Sequence, residues 1–511
     1  MLNRHLRFRA VTLSLAALVV LLGAAGCAQK EEVATAREEV APGTGEIPYT
    51  TDFETARALC EEGEYLFDVG RGLEARAKFM AAVAEDPAFV RAHFGQSNAA
   101  VSYKELQTCL GKAEVNIDSV SDGERLMVEI NRTFLTNDTE LGVQLASQLV
   151  EAYPNSTRAA LTLAGIHGAM NNNEAARAVY AGTLEIDPDS AGALMGIAFS
   201  YLFGEPRDFT LAEEYAMRMT SAYPNEAKGY ELLGDIKRAQ NDLGASLEAY
   251  NQATDTDPGL AQAQVKKGHV NSFLGNFEDA LSAYDAAIEA APPENKAAYA
   301  PYRAFTYIHS GEVDTAIDEL EAAADNVEAM GTPADQVKGL QVFALTSEAT
   351  VALHSGQFDR AASCIGRRNQ LQMEIAEEVG TDDAHRLQKA DCRLWDGLLA
   401  AYTGDMDGAV ENAEKVAVLV EGDDNPRKLE PHHYVLGMAY LKQGDYPKAA
   451  MHLRQADYEN NMFIRYHLAL AEEGAGDAEQ AATFFSDVAG YNFNTVGFAL
   501  LREEATERSG G

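Results

Sequence analysis

Tryptophan and positive charge are what this sequence has least of. One tryptophan and five cysteines occur in 511 residues, and 41 lysines and arginines face 79 aspartates and glutamates. The formal net charge of −38 argues against a nucleic-acid partner, whose phosphates demand a basic face. It argues equally against lying flat on anionic lipid. The excess acid reads first as a solvated outer face, with a basic partner as the alternative.

Motifs that carry chemistry are also missing. The sequence has no HExxH, no lysine closing a glycine-rich phosphate loop and no GxSxG. His432 and His433 are adjacent, but no cysteine or carboxylate stands at metal spacing beside them on their helix. In Thr403–Glu414, Asp405, Asp407, Gly408 and Glu414 fall in the register of a calcium loop. Thr403 stands where the first carboxylate belongs, and the same residues also suit a turn between helices. We therefore expect no catalytic residue, no metal and no cofactor, and read the chain as not an enzyme.

What the sequence does have is repetition. Leu233-Gly234, Ala245, Tyr250, Ala253 and Pro258 recur in the next unit as Gly268, Ala280, Tyr284, Ala287 and Pro292. Leu436-Gly437, Ala449 and Ala456 form a further copy, and Leu468-Ala469, Ala481 and Phe485 the last. Upstream, Gly63, Ala75, Phe79, Ala82 and Pro87 open the series. A period of about 34 residues with small residues, one aromatic and a closing proline resembles the tetratricopeptide repeat. The resemblance covers nearly the whole chain beyond residue 51. It implies an all-α superhelical solenoid of about twelve helix-turn-helix repeats. Small residues let paired helices approach, aromatics fill the wedge between hairpins, and proline ends each unit. Gly275-Asn276 and Gly444-Asp445 suit the tight turn inside a hairpin.

The array is expected to be uneven. Ser97 to Asp122 fits poorly, Glu205 to Thr210 lengthens a turn, and Arg367 to Lys389 overshoots the period in two longer helices. Val420 to Glu430 reads as a polar loop. The expected blocks are residues 52–330, regular, and 331–511, of longer period and closed by a capping helix from Thr495 to Arg508.

Arg4, Arg7 and Arg9 precede an apolar run from Ala10 to Leu22 and then Gly23-Ala24-Ala25-Gly26-Cys27. The run is too short to span a bilayer, which takes about 20 residues. Residues 1–26 read as a secretory leader, and its end resembles the lipobox of bacterial lipoproteins. That resemblance implies cleavage before Cys27 and lipid on Cys27, the chain's one link to the membrane. Ala28 after it favours the outer membrane. Residues 27–51, rich in Glu, Ala, Pro and Gly, read as a flexible tether of roughly 60 Å when extended.

Cys60, Cys109, Cys364 and Cys392 remain. In an oxidising compartment Cys364 and Cys392, on neighbouring helices, are a candidate disulfide; buried free thiols are the other reading. The single tryptophan, Trp395, on a core-facing position, gives little support to sugar stacking.

The repeat register places Arg57, Glu64, Arg158, Lys228, Glu231, Asp235 and Arg238 on the concave face of the N-terminal units. In the C-terminal units it places Phe305, Ile308, Phe343, Leu353, Leu394, Leu398, Tyr434, Met438 and Leu441 there. The second set reads as an apolar peptide groove or, if curvature is tighter, as core. The function expected is a non-enzymatic scaffold, lipid-anchored on the periplasmic face of the outer membrane, that binds an envelope protein or peptide. The alternative is the ligand-binding component of a glycan- or peptide-uptake system.

Overall fold

In the computed structural model of the protein, residues 45–509 are described, apart from Ser102, Asn137 and Asp424. The leader, Cys27 and most of the expected tether lie outside the described residues. Those described form helices joined by short turns, with no strand among them. They gather into two compact units. Unit 1 runs to Gln240 and takes in Asp255–Asp257; unit 2 comprises Asn241–Thr254 and everything from Pro258.

The hairpins form for the reasons the repeat suggests. Gly275 and Gly444 each end a helix in the left-handed region, at φ 80° and 79°. The next residue's N–H then reaches back to a helix carbonyl, Asn276 to Asn271 at 2.9 Å and Asp445 to Tyr440 at 3.0 Å. Asn171 and Asn241 adopt the same left-handed backbone at φ 55° and 64°. The Asp405, Asp445 and Asp477 side chains accept from backbone N–H groups and start the following helices. The loop that mimicked a calcium site is therefore a turn and a helix cap.

Packing between hairpins rests on an aromatic facing two small residues. Phe79 in unit 1 is buried between Gly63 of its own hairpin and Gly95 of the next. A methyl group built on those glycines would lie 2.7 and 2.4 Å from the ring. Tyr284 meets Gly268 in unit 2 in the same way, at 2.6 Å.

Unit 1 holds hairpins 54–85, 90–115, 122–152, 157–186 and 191–222, followed by helix Ala227–Ala239. It curls until its first helix, Glu54–Asp68, meets the start of that last one. The Tyr65 hydroxyl donates to Glu226 Oε1 at 3.2 Å, and Arg71 lies 3.5 Å from the same carboxylate. The poorly fitting stretch is a short helix, Val90–Asn98, followed by Tyr103–Val115 and a 3-10 turn.

The two longer helices expected over Arg367–Lys389 are Phe358–Val379 and Asp382–Thr403, of 22 residues each, and a third in unit 2, Ala334–His354, of 21, precedes them. The boundary expected at 330/331 falls inside it, because one apolar core runs from Ala300 to Ala505 through Leu345 and Val351. The expected capping helix is present as Val496–Arg508, with the Thr495 hydroxyl accepting from Phe498 N–H at 3.2 Å.

Gly95→Ala should destabilise the protein by about 1–3 kcal/mol, because its methyl group meets the Phe79 ring. Gly165→Ala, with open space beside it, should be neutral or stabilising by up to about 1 kcal/mol. Urea denaturation of the two variants checks the contrast.

Candidate functional site

Of the nine residues expected on the C-terminal concave face, five are buried and four half-buried. Phe305, Ile308, Leu353, Leu398 and Met438 are buried in the main cluster of unit 2. Leu394, Tyr434 and Leu441 are half-buried against that cluster, and Phe343 is half-buried. The cover is partly the chain's own C-terminus. Helix Val496–Arg508 packs on the first helices of three hairpins, Pro301–His309, Ala334–His354 and Met462–Ala475. Phe498 meets Phe273 edge-on at 5.4 Å, and the Arg502 guanidinium lies over the same ring and donates to the Phe273 carbonyl. Repeat register alone cannot show that the array curves far enough for its end to return.

The residues before that helix, with Asn492 in the left-handed region at φ 49°, are held by polar side chains. The Asn494 amide donates to the Tyr284 hydroxyl and to His269 Nδ1, both at 3.2 Å, and its carbonyl oxygen faces His309 Nε2 at 3.2 Å. Asn492 donates to Asn241 Oδ1 at 2.6 Å. Burial lowers the His309 pKa to about 4, which keeps the ring neutral and able to donate from Nε2 while Nδ1 carries no proton.

Unit 1 presents a different inner face. Of the charged residues expected there, Arg57 is exposed beside Glu61, whereas Lys228 pairs with Glu231 at 2.7 Å and Arg238 with Asp235 at 3.0 Å. Arg158 makes a two-pronged contact with Asp68 at 3.0 and 2.7 Å. Glu64 receives two bonds from Arg91, at 2.8 and 3.0 Å, and one from the Tyr49 hydroxyl at 2.8 Å. Burial pushes the Glu64 carboxyl up, but Arg158 and Arg91 outweigh it and hold its pKa below the usual value. Burial and the neighbouring Glu64 raise the Tyr49 phenol.

Into this network runs the segment Glu46–Thr51, which the sequence reading gave to the tether. It forms no helix and crosses four hairpins, with a bend at Glu46 and the Thr51 N–H turned back to the Tyr49 carbonyl at 3.1 Å. Glu46 accepts from the Ser156 hydroxyl at 2.8 Å. Ile47, 1% exposed, packs beside Val90, Phe94, Leu126 and Tyr153. Arg91 Nη1 donates to the Ile47 and Pro48 carbonyls at 2.6 and 3.2 Å, and its guanidinium lies 3.7 Å from the Tyr49 ring centroid. Glu124 accepts from the Thr50 N–H at 2.9 Å and from the Thr50 hydroxyl. Asp86 accepts from the Thr51 hydroxyl at 2.6 Å.

Several of these groups sit at helix starts. Ser121 and Glu124 exchange bonds, the Glu124 N–H reaching the Ser121 hydroxyl at 3.3 Å and the Ser121 N–H reaching Glu124 Oε2 at 3.2 Å. That is a capping box, Ser-x-x-Glu. Ser156 caps the helix Thr157–Ala169. The sequence reading missed Asp68, Asp86, Arg91 and Glu124. The Ser121–Glu124 spacing was the signal available for one of them. The arrangement can hold an extended backbone: a guanidinium for carbonyls, a carboxylate for an N–H and a hydroxyl, and an apolar seat for one side chain.

The candidate disulfide is not formed. Cys364 and Cys392 are buried free thiols, their sulfurs 3.3 and 3.6 Å from the carbonyl oxygens of Ala361 and Asn369. Burial first, then Glu348 and Asp391 respectively, push these thiols up to about 12 and about 11. Trp395 is half-buried under the Arg368 guanidinium at 5.0 Å. His432 Nδ1 lies 2.8 Å from the Ala413 carbonyl, and His433 faces His452 at 3.0 Å. Among the described residues no group of three His, Cys, Asp or Glu is placed to hold a metal, and no helix is long and apolar enough to cross a membrane. An open depression of about 440 Å³ in unit 2 is lined by Asn251, Gln264, Lys267, Asn271, Asp279 and Ser282.

With the geometry in place, comparison with known proteins is informative. Residues 227–259 and 261–294 match one tetratricopeptide-repeat family, and residues 431–455 match another. These stretches are tetratricopeptide repeats. The chain is 24% identical over 219 residues to the TPR repeat-containing protein YpiA of Bacillus subtilis (strain 168). The match covers 41% of this chain and 50% of that protein, so it spans about half the length of the relative. Among solved structures, MamA aligns with 32% of this chain and 93% of its own, at 18% identity and a TM-score of 0.28. YrrB, a TPR protein with an unusual peptide-binding site, aligns with 35% of this chain and 91% of its own, at 20% identity and a TM-score of 0.28. The fold is an all-α tetratricopeptide solenoid.

The buried histidines of unit 2 make its stability depend on pH. Burial lowers His309 from 6.5 to about 4 and His467 to about 3. At these two groups the unfolded chain therefore binds more protons below pH 6.5 than the folded one. Their contribution to stability should be full above 6.5 and fall progressively as pH drops toward 4, while Glu348, raised by burial to about 7, contributes in the opposite direction. His309→Gln should flatten that decline, as urea denaturation at pH 7.5, 5.5 and 4.5 would show.

Proposed function

We propose that this chain is a non-enzymatic scaffold that holds an extended protein segment, anchored by lipid on Cys27 to the periplasmic face of the outer membrane. The observation that carries the binding half is the grip on Glu46–Thr51 in unit 1. Arg91 and Glu124 address main-chain carbonyls and an N–H, which every extended segment offers. The tetratricopeptide repeats support the same class of function. The basic, apolar and small-residue series ending at Cys27 supports the anchor. Binding moves from the C-terminal strip to unit 1, because the C-terminal helix already covers part of the strip's hairpins. The surplus of acid weighs against nucleic acid as a partner.

The polar depression around Asn251, Lys267 and Asp279 favours the second reading, a carrier for a small glycan or peptide. It is open and lacks an aromatic platform, so the scaffold is the better supported reading.

Cys27→Ser should shift the protein from the detergent-extracted membrane fraction to the soluble fraction and slow removal of the leader. Cell fractionation with immunoblotting reads both. A variant that stays membrane-bound and is processed at the normal rate sinks the lipid anchor.

A further inference from the structure

The segment Glu46–Thr51 has the contacts of a bound peptide rather than of a structural element. It forms no helix and belongs to no hairpin. It meets side chains from four hairpins in turn, and two of the residues that hold it, Arg91 and Glu124, hold its backbone. Its connection to the solenoid is short: Asp52 and Phe53 are exposed, Phe53 by 53%, and the first helix begins at Glu54.

The ion pairs of the receiving face survive without the segment. Arg91 keeps its two bonds to Glu64, which also lies 3.8 Å from Arg158, so release avoids the large penalty of breaking that buried pair. Glu124 keeps the Ser121 hydroxyl and N–H on Oε2 but loses the Thr50 N–H from Oε1, an acceptor that an incoming backbone N–H fills. What is uncovered is the apolar seat of Ile47 beside Tyr153 and Val90, and such a seat calls for another apolar side chain.

We propose that the inner face of unit 1 is a peptide site which the chain closes with its own segment Glu46–Thr51, and that an extended segment of a partner protein displaces it. This deepens the scaffold reading and rests on it. The partner segment carries a branched apolar residue in the Ile47 seat and, two positions on, an aromatic for the Arg91 guanidinium. Hydroxyl residues follow, which donate to Glu124 and Asp86. Basic or neutral flanks suit it, since Glu64, Asp86 and Glu124 line the path. Tethering gives the chain's own segment a high effective concentration, so it competes strongly with any free peptide.

The test uses the full chain carrying Ile47→Asp and Tyr49→Ala, which weakens the resident segment and leaves its seat intact. The probe is a fluorescent synthetic peptide of residues 44–53, followed by anisotropy. It should bind the variant at least about tenfold more tightly than the unaltered chain, which its own segment occupies. Adding Arg91→Met to the variant, or placing Asp at the isoleucine of the probe, should abolish binding. Equal binding to both chains, or none to a variant that keeps its helical circular dichroism and melting temperature, overturns the proposal. Hydrogen exchange on the unaltered chain guards against a variant that misfolds. Amides of residues 49–53 should exchange faster than those of helix Glu54–Asp68, and exchange only together with that helix makes the segment structural. Dimers of the unaltered chain that Ile47→Asp dissolves would assign the seat to a second copy and overturn the partner reading. None of these failures touches the lipid anchor, which fractionation tests separately.

Discussion

Neighbouring helices sit close because a large side chain closes on a residue that has none. Phe79 touches Gly63 behind it and Gly95 ahead of it, so one ring fixes both the spacing within a hairpin and the step to the next. In unit 2 Tyr284 closes on Gly268 and Leu453 on Gly437 within their own hairpins. The step brings first helices side by side along the inner surface. Curvature, the burial of inner residues and the reach of Glu64 and Arg91 toward one segment follow from that repeated contact. A different ring size or an added methyl changes the step, and everything carried on the inner surface moves with it.

The curvature produced in this way is tight enough for the chain to fill its own interior. In unit 1 the filling is the segment Glu46–Thr51; in unit 2 it is the Asn492–Asn494 stretch and the helix after it. The two fillings differ in kind. Phe498 and Leu501 are apolar anchors buried in a continuous core, with Arg502 lying across Phe273. In unit 1 Ile47 is the one fully buried anchor, Tyr49 packs half-buried against a second cluster, and the rest of the hold is hydrogen bonds and one stacked guanidinium. A contact of the first kind resembles folding, and one of the second kind resembles binding.

Much of the fold was legible in the sequence, because a tetratricopeptide repeat is specified locally. Gly275, Gly444, Tyr284 and Ala280 act within a few residues of themselves or one hairpin away, so spacing alone locates them. Even the closing helix at Thr495 could be placed. The inner faces were not legible, since they depend on which distant residues meet. Glu64 and Arg158 were singled out together, but their partners Arg91 and Asp68 came from an irregular repeat and a helix end. Ile47 lay in a stretch of tether-like composition, and nothing local marks one isoleucine there as buried. Phe305 and Met438 were assigned to the right helices, yet their exposure was misjudged because the end of the chain folds back over their neighbours. Cys364 and Cys392 lie on neighbouring helices, as expected, but their sulfurs face backbone carbonyls.

The return of the C-terminal helix also alters how unit 2 comes apart. A simple repeat array behaves as a one-dimensional chain, in which each hairpin is coupled to its two neighbours and the ends fray first. Here His309 is joined to Asn494 and Phe273 to Arg502, contacts that bridge 185 and 229 positions. The terminal hairpins are thereby tied to the middle of the chain, and fraying from the end means breaking the interior. Unit 2 should thus unfold as one cooperative body. It should also fold more slowly than its local helical contacts suggest, because contacts across 185 and 229 positions must close long loops.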